Sequence, residues 1–128
     1  MRVFKNKAFA RFADRNDIID EDLCEAVERA RRGLIDADLG GGVIKQRIAR
    51  KGEGKSGGFR SMILFQAETR AVFVHGFAKK DFANINAGEL KALKKLAKVV
   101  LAYSEREMAS AMAFGVFVEV NCNGKTIS

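Results

Sequence analysis

The stretch VIKQRIARKGEGKSGGFRSMILFQAETRAVFVHGF, residues 43–77, decides the fold. From Val43 to Ala49 the side chains alternate. Ile44 and Ile48 fall on one face and Lys45 and Arg47 on the other, the period of a strand with one face to the core and its cations turned outward. Arg50 to Gly57 reads as a loop. Phe59 to Ala67 is a strongly apolar strand, Glu68-Thr69-Arg70 a tight turn, and Ala71 to Phe77 a returning strand. Two apolar runs joined by so short a link predict an antiparallel hairpin.

Working outward, Met1 to Lys5 reads as a short opening strand. Phe9, Phe12 and Ala13 lie at helical spacing within Lys7 to Arg15. Asp20 stands as an N-cap before Leu23, Ala26, Val27 and Ala30, an i, i+3, i+4, i+7 stripe that ends at Gly33 as C′. Its other face, Glu25, Glu28, Arg29, Arg31 and Arg32, reads as solvated. Asp36 to Gly42 is a turn-rich connector ending in Gly40-Gly41-Gly42. Beyond the hairpin, Asn86 with Glu89 forms a capping-box pattern opening a long helix. Leu90, Leu93, Ala97, Val100 and Leu101 make its apolar stripe, and Lys91, Lys94, Lys95 and Lys98 fill its other face. Ser104 with Glu107 opens a second helix, through Met112 and ended by Gly115. Val116 to Val120 reads as a last strand. The order is β-α-α-β-β-β-α-α-β. With no linker or repeat, one α+β domain over residues 1–128 is the simplest account.

The chain has 128 residues, 48% of them apolar, enough to build one core. Ten Phe with one Tyr and no Trp send most aromatic rings to that core. Cys24 and Cys122 have no metal-like spacing and read as reduced, buried, inert thiols. No secretory segment and no apolar run near about 18 residues is visible, so a cytoplasmic protein is expected. The formal net charge of +7 suits an anionic partner such as nucleic acid.

That charge is concentrated. Between Val43 and Arg60 lie Lys45, Arg47, Arg50, Lys51, Lys55 and Arg60 against one acid, Glu53, with Gly52, Gly54, Gly57 and Gly58 interleaved. Glycines let backbone N–H groups approach an anion and the cations supply the field, so the segment is suited to holding phosphates. Arg50, Lys51 and Lys55 on the loop would grip, while Arg60 begins a rigid strand. Lys79 and Lys80 follow the strand ending at Phe77 and would reach the same sheet end as Arg60. Gly54-Lys55-Ser56 imitates the end of a nucleotide-binding P-loop. The required first glycine is Ala49, and a strand rather than a helix follows. His75, the one histidine, reads as a packed strand residue. There is no His/Cys/Asp/Glu set with metal spacing and no call for a cofactor. A nuclease built from these residues would depend on Lys and Arg, one to withdraw a 2′-OH proton and others to stabilise the charged phosphorane and leaving oxygen. A lysine inside a cationic cluster has its pKa lowered, which suits the first role.

The basic strand, the Gly/Lys loop, the GG-aromatic-Arg start of the next strand and the small-Lys-basic ending of FVHGFAKKDFANI resemble the RelE/HigB-like toxins of bacterial type II toxin–antitoxin pairs, over nearly the whole chain. The resemblance implies a small antiparallel sheet with N-terminal helices and a C-terminal helix packed on it. It implies ribosome-dependent, metal-independent cleavage of mRNA in the decoding site, leaving a cyclic phosphate, and a cognate antitoxin that covers the basic surface. Lys45 and Arg47 then match strand cations that contact or activate the RNA, Arg60 the arginine that stabilises the phosphate, and Lys80 the second basic residue after the last central strand. Some members carry a Tyr soon after that residue. Here the nearby ring is Phe82, and the single tyrosine, Tyr103, lies late in a helix. Two other functions fit the same residues: a ParE-like toxin that inhibits DNA gyrase without cutting RNA, and a basic nucleic-acid-binding module without toxicity.

Overall fold

The computed structural model describes residues 1–49, 58–78 and 85–122. In chain order the elements are β1 (Arg2–Asn6), α1 (Lys7–Arg15), α2 (Asp20–Arg31), β2 (Ala37–Asp38), β3 (Val43–Ile48), β4 (Phe59–Gln66), β5 (Arg70–Ala78), α3 (Ala87–Val100), α4 (Glu105–Ala113) and β6 (Phe117–Glu119). They form an α+β fold around one six-stranded sheet of order β2-β3-β4-β5-β1-β6. The sheet is mixed rather than antiparallel throughout: β1 runs parallel to β5, while the other neighbours are antiparallel. β1 and β5 are separated in sequence by α1, α2 and the antiparallel run β2–β3–β4, a connection long enough for the two strands to lie parallel.

Both faces of the sheet are covered. Ile44, Ile48, Ile63, Ala71 and Phe73 pack under α1 and α2, meeting Phe9, Ala13, Leu23, Ala26, Val27 and Ala30. Val43, Met62, Leu64, Val72 and Phe4 pack under α3 and α4, meeting Ala97, Val100 and Met108. The alternation in β3 is as the sequence indicates, but Lys45 and Arg47 do not face open solvent. They are half-buried, on the face that continues from Val43 under the second helical layer.

The helix ends obey local rules. Asn86 Oδ1 accepts from the Glu89 N–H at 2.8 Å and Ser104 Oγ from the Glu107 N–H at 3.1 Å, the two expected capping boxes. At the end of α2 the Gly33 N–H donates to the Ala30 carbonyl and the Leu34 N–H to the Arg29 carbonyl, a Schellman closure. The N-cap of α2 is Ile19 rather than Asp20. Asp20 is occupied elsewhere: its carboxylate lies 3.2 Å from Lys5 Nζ and accepts the Asn121 N–H.

Four further features depart from the sequence reading. First, the connector contains β2, and Gly40, Gly41 and Gly42 at φ 82°, 61° and 83° make the turn that returns it as β3. Three successive left-handed residues strain any side chain. α3 lies directly over this turn, so a Cβ at Gly42 would sit 2.9 Å from Leu101 Cδ1. Second, Arg70 is not a turn residue. It is buried in β5, and its Nη1 donates to the carbonyls of Val100 and Tyr103, satisfying the C-terminal end of α3. Third, Phe114 is 81% exposed, unlike Phe4, Phe9, Phe73 and Phe117 in the core.

Fourth, Cys24 and Cys122 form a disulfide rather than remaining thiols. They lie 98 residues apart in sequence and carry no spacing signal. β6 pairs with β1, the Val120 N–H donates to the Val3 carbonyl, and the Asn121 N–H reaches Asp20 at the start of α2. That path brings Cys122 onto α2. Among the described residues no helix is long and apolar enough to cross a membrane.

Two stability effects are expected. A disulfide closing so long a loop restricts the unfolded chain. Reduction, or Cys122→Ser, is therefore expected to cost about 2–4 kcal/mol in denaturant unfolding, with no free thiol titrating before reductant is added. A Cβ at Gly76 would lie 2.3 Å from Phe12 Cδ2, and that ring is held between Phe9 and Phe59 at centroid distances of 5.6 Å each. Gly76→Ala is expected to lower stability by about 1–3 kcal/mol, read as a lower denaturation midpoint.

Candidate nucleic-acid interface

Residues directly paired in an antiparallel ladder share a sheet face. Arg47 pairs with Arg60 and Arg60 with Phe77, so these three form one row. Lys45 pairs with Met62 and Met62 with His75, the adjacent row on the same face. The face that carries Val43, Leu64 and Val72 under α3 thus continues into Lys45, Arg47 and Arg60. His75 is exposed, with its ring centroid 5.7 Å from that of Phe77.

Arg47 and Arg60 open onto a cleft of about 580 Å³, whose remaining walls are Arg29 and the segment Gly33, Leu34, Ile35 and Asp36 leading from α2 to β2. Arg29 is tied on two sides: its Nε donates to Glu25, and its Nη2 to the Arg47 carbonyl at 2.6 Å. Arg60 Nε lies 3.6 Å from Asp36 Oδ2. Arg60 Nη1 is buried and has no hydrogen-bond partner among the described residues. Burial, and next the positive charge of Arg60, push the Lys45 ammonium below its ordinary value of 10.5, with Asp36 acting in the opposite direction.

The geometry rests on Gln46, which lies between Lys45 and Arg47 but points to the opposite face and is buried. Its Nε2 donates to the carbonyls of Ala26 and Leu34 at 3.0 Å each, and its Oε1 accepts from the Asp36 N–H at 3.1 Å. One side chain therefore binds α2 and the connector to β3. Ser61 Oγ donates to the Gln46 carbonyl from β4.

Of the cations singled out from sequence, the fold brings Lys45, Arg47 and Arg60 together. Arg50, Lys51, Lys55, Lys79 and Lys80 lie outside the described residues. Three residues of the site escaped sequence reasoning. Arg29 was indistinguishable from its solvated neighbours on α2, and Asp36 sat in a connector without a motif. Gln46 did leave a signal, since a polar residue between Ile44 and Ile48 on a core face must find partners.

Two guanidinium groups opposite one another, a nearby depressed ammonium and a buried N–H donor without a partner make a site for an anion with several oxygens. Among the described residues no three of His, Cys, Asp and Glu lie close enough together to hold a metal ion.

No curated protein sequence matches the chain. Residues 1–120 match the family described as the RelE toxin of the RelE/RelB toxin–antitoxin system, a span that includes all six strands and all four helices. The chain belongs to the RelE toxin family, and so to the toxins of toxin–antitoxin systems.

Proposed function

We propose that this toxin is a ribosome-dependent mRNA endonuclease that blocks translation by metal-independent attack of a ribose 2′-OH on the adjacent phosphate. The observation that carries the reading is the convergence of Lys45, Arg47 and Arg60 on one sheet face, with Lys45 depressed by burial and by Arg60. In the proposed reaction the neutral Lys45 amine takes the 2′-OH proton. The 2′-oxygen attacks phosphorus, the bond to the 5′-oxygen breaks, and a 2′,3′-cyclic phosphate remains on the upstream product. Arg60, which lines the cleft, stabilises the charge that builds on the non-bridging oxygens, and Arg47 holds the phosphate from the opposite strand. Lys80 completes the catalytic set by protonating or stabilising the leaving 5′-oxygen. Arg50, Lys51, Lys55 and Lys79 grip the RNA backbone electrostatically. The partners are the ribosome with its mRNA, and a cognate antitoxin that masks the same cationic surface. The whole chain acts in the cytoplasm as a single domain.

The reading is tested by adding the purified protein to a translating extract and mapping mRNA ends. Cuts within codons at the decoding site are expected, and intact mRNA with loss of gyrase supercoiling activity would replace this reading with the ParE-like one. Arg60→Ala is expected to lower cleavage by about 10²–10³ and to relieve growth arrest at equal expression.

The lysine also fixes the sign of the pH dependence. Only neutral Lys45 accepts a proton, and its lowered pKa raises the neutral fraction at any pH. Cleavage is expected to climb with pH and level off below the ordinary lysine value of 10.5. Lys45→Arg keeps the charge but cannot deprotonate under these conditions, so both the rate and its pH dependence are expected to be lost.

A further inference from the structure

Asp36 is the one acid lining the cleft among its described residues, opposite three arginines. An acid inside a phosphate site opposes the ligand it surrounds, so its presence needs a physical reason. The cleft does not hold it there by accident. The Asp36 N–H is fixed by buried Gln46, and its Oδ2 lies beside Arg60 Nε. We infer that Asp36 is a positioning residue of the cleavage site, holding the Nε edge of Arg60 so that the guanidinium stays at the cleft wall beside the reacting phosphate. The inference rests on reading the cleft as an RNA-phosphate site.

A guanidinium has five N–H donors in a rigid fork. Asp36 engages the Nε side and leaves Nη1 buried without a partner among the described residues. Without the carboxylate, the Arg60 side chain would swing away from Arg47, directly across the ladder, because like charges repel. The same carboxylate acts on Lys45. Among the described residues, the charged groups that act on Lys45 include Arg60 on β4 and Asp36 from the connector, with Arg47 on its own strand and His75 on β5 in the same and adjacent rows of that face. Asp38 of β2 shares the opposite face with Ile44, and its Oδ1 accepts from the Gly40 N–H. Asp36 raises the Lys45 pKa against the lowering by burial and Arg60. It therefore sets a compromise: it orients Arg60, at the cost of some phosphate affinity and some basicity range.

The test compares wild type with Asp36→Asn on ribosomes programmed with mRNA, and follows the Lys45 side chain by NMR in lysine-labelled protein, assigned with Lys45→Arg. In Asp36→Asn, KM is expected to fall because an anion leaves the cleft, and kcat to fall roughly ten- to a hundredfold because Arg60 is misdirected. The Lys45 titration midpoint and the pH–rate midpoint are both expected to move down together, and Asp36→Glu is expected to restore the wild-type midpoint. A loss of kcat with KM and both midpoints unchanged would mean a structural role only and overturn the inference, as would no change at all. Should Asp36→Asn not fold, Asp36→Ser removes the same charge and must give the same downward shift. If neither variant folds, Asp36 is a folding residue and the inference falls. If wild type cuts no mRNA while the Lys45 midpoint still moves, the cleavage reading fails and the placement of Asp36 beside Lys45 and Arg60 stands.

Discussion

The register between β3 and β4 is the constraint on which the rest depends. Six direct pairs, from Val43 with Leu64 to Ile48 with Phe59, set which face each side chain meets. A slip of one residue would move Ile44 and Ile48 to the α3 side and drive Lys45 and Arg47 into the apolar layer beneath α2. Burying unpaired cations there would cost several kcal/mol each, so the register is enforced from both faces at once. Gln46 and Ser61 add a polar check. Their hydrogen bonds to the α2 and connector carbonyls and across the ladder exist in one register only.

That same register places Arg47 opposite Arg60, an arrangement that local energetics disfavour. A strand pair free to choose would alternate signs here. The sheet tolerates the repulsion because the remaining pairs and both helical layers over-determine the strands. Asp36, 3.6 Å from Arg60 Nε, offsets part of the local cost, and a bound anion would offset more. This is the usual condition of a built binding site, whose groups are held in a geometry they would not adopt alone.

Much of this was legible in the sequence, for identifiable reasons. The strand period of Val43 to Ala49, the hairpin around Glu68, and the capping boxes at Asn86 and Ser104 are local signals, and the local geometry obeys them. Lys45, Arg47 and Arg60 were legible as a cluster because they lie close together in sequence, but the pairing of Arg47 directly across from Arg60 depends on the β3–β4 register, which no local pattern sets. What could not be read depends on long-range contact. The Cys24–Cys122 disulfide, the burial of Arg70 against the end of α3 and the parallel pairing of β1 with β5 each join residues far apart in sequence. Asp36 belongs to this class, since its place beside Arg60 is fixed by Gln46, ten residues on. The second covered face also escaped, because the apolar residues Val43, Leu64 and Val72 give no local sign that α3 packs on them.

The long-range ties divide the molecule's work. Arg70 secures the end of α3 and the disulfide secures the tail to α2, and neither lines the cationic cleft. The disulfide does reach the site, through α2. That helix is held at Cys24 by the disulfide, at Ala26 by Gln46, and at Arg29 by the Arg47 carbonyl. With three points fixed within about one and a half turns, rotation or sliding of α2 is resisted, and Leu34, which closes its last turn and accepts a hydrogen bond from Gln46, starts the connector from a fixed place. Asp36 follows two residues later, where little freedom remains. A carboxylate on a loose loop could collapse fully onto one of the arginines and neutralise it. Held by its backbone at 3.6 Å from Arg60 Nε, it can orient that guanidinium while leaving donors for another anion.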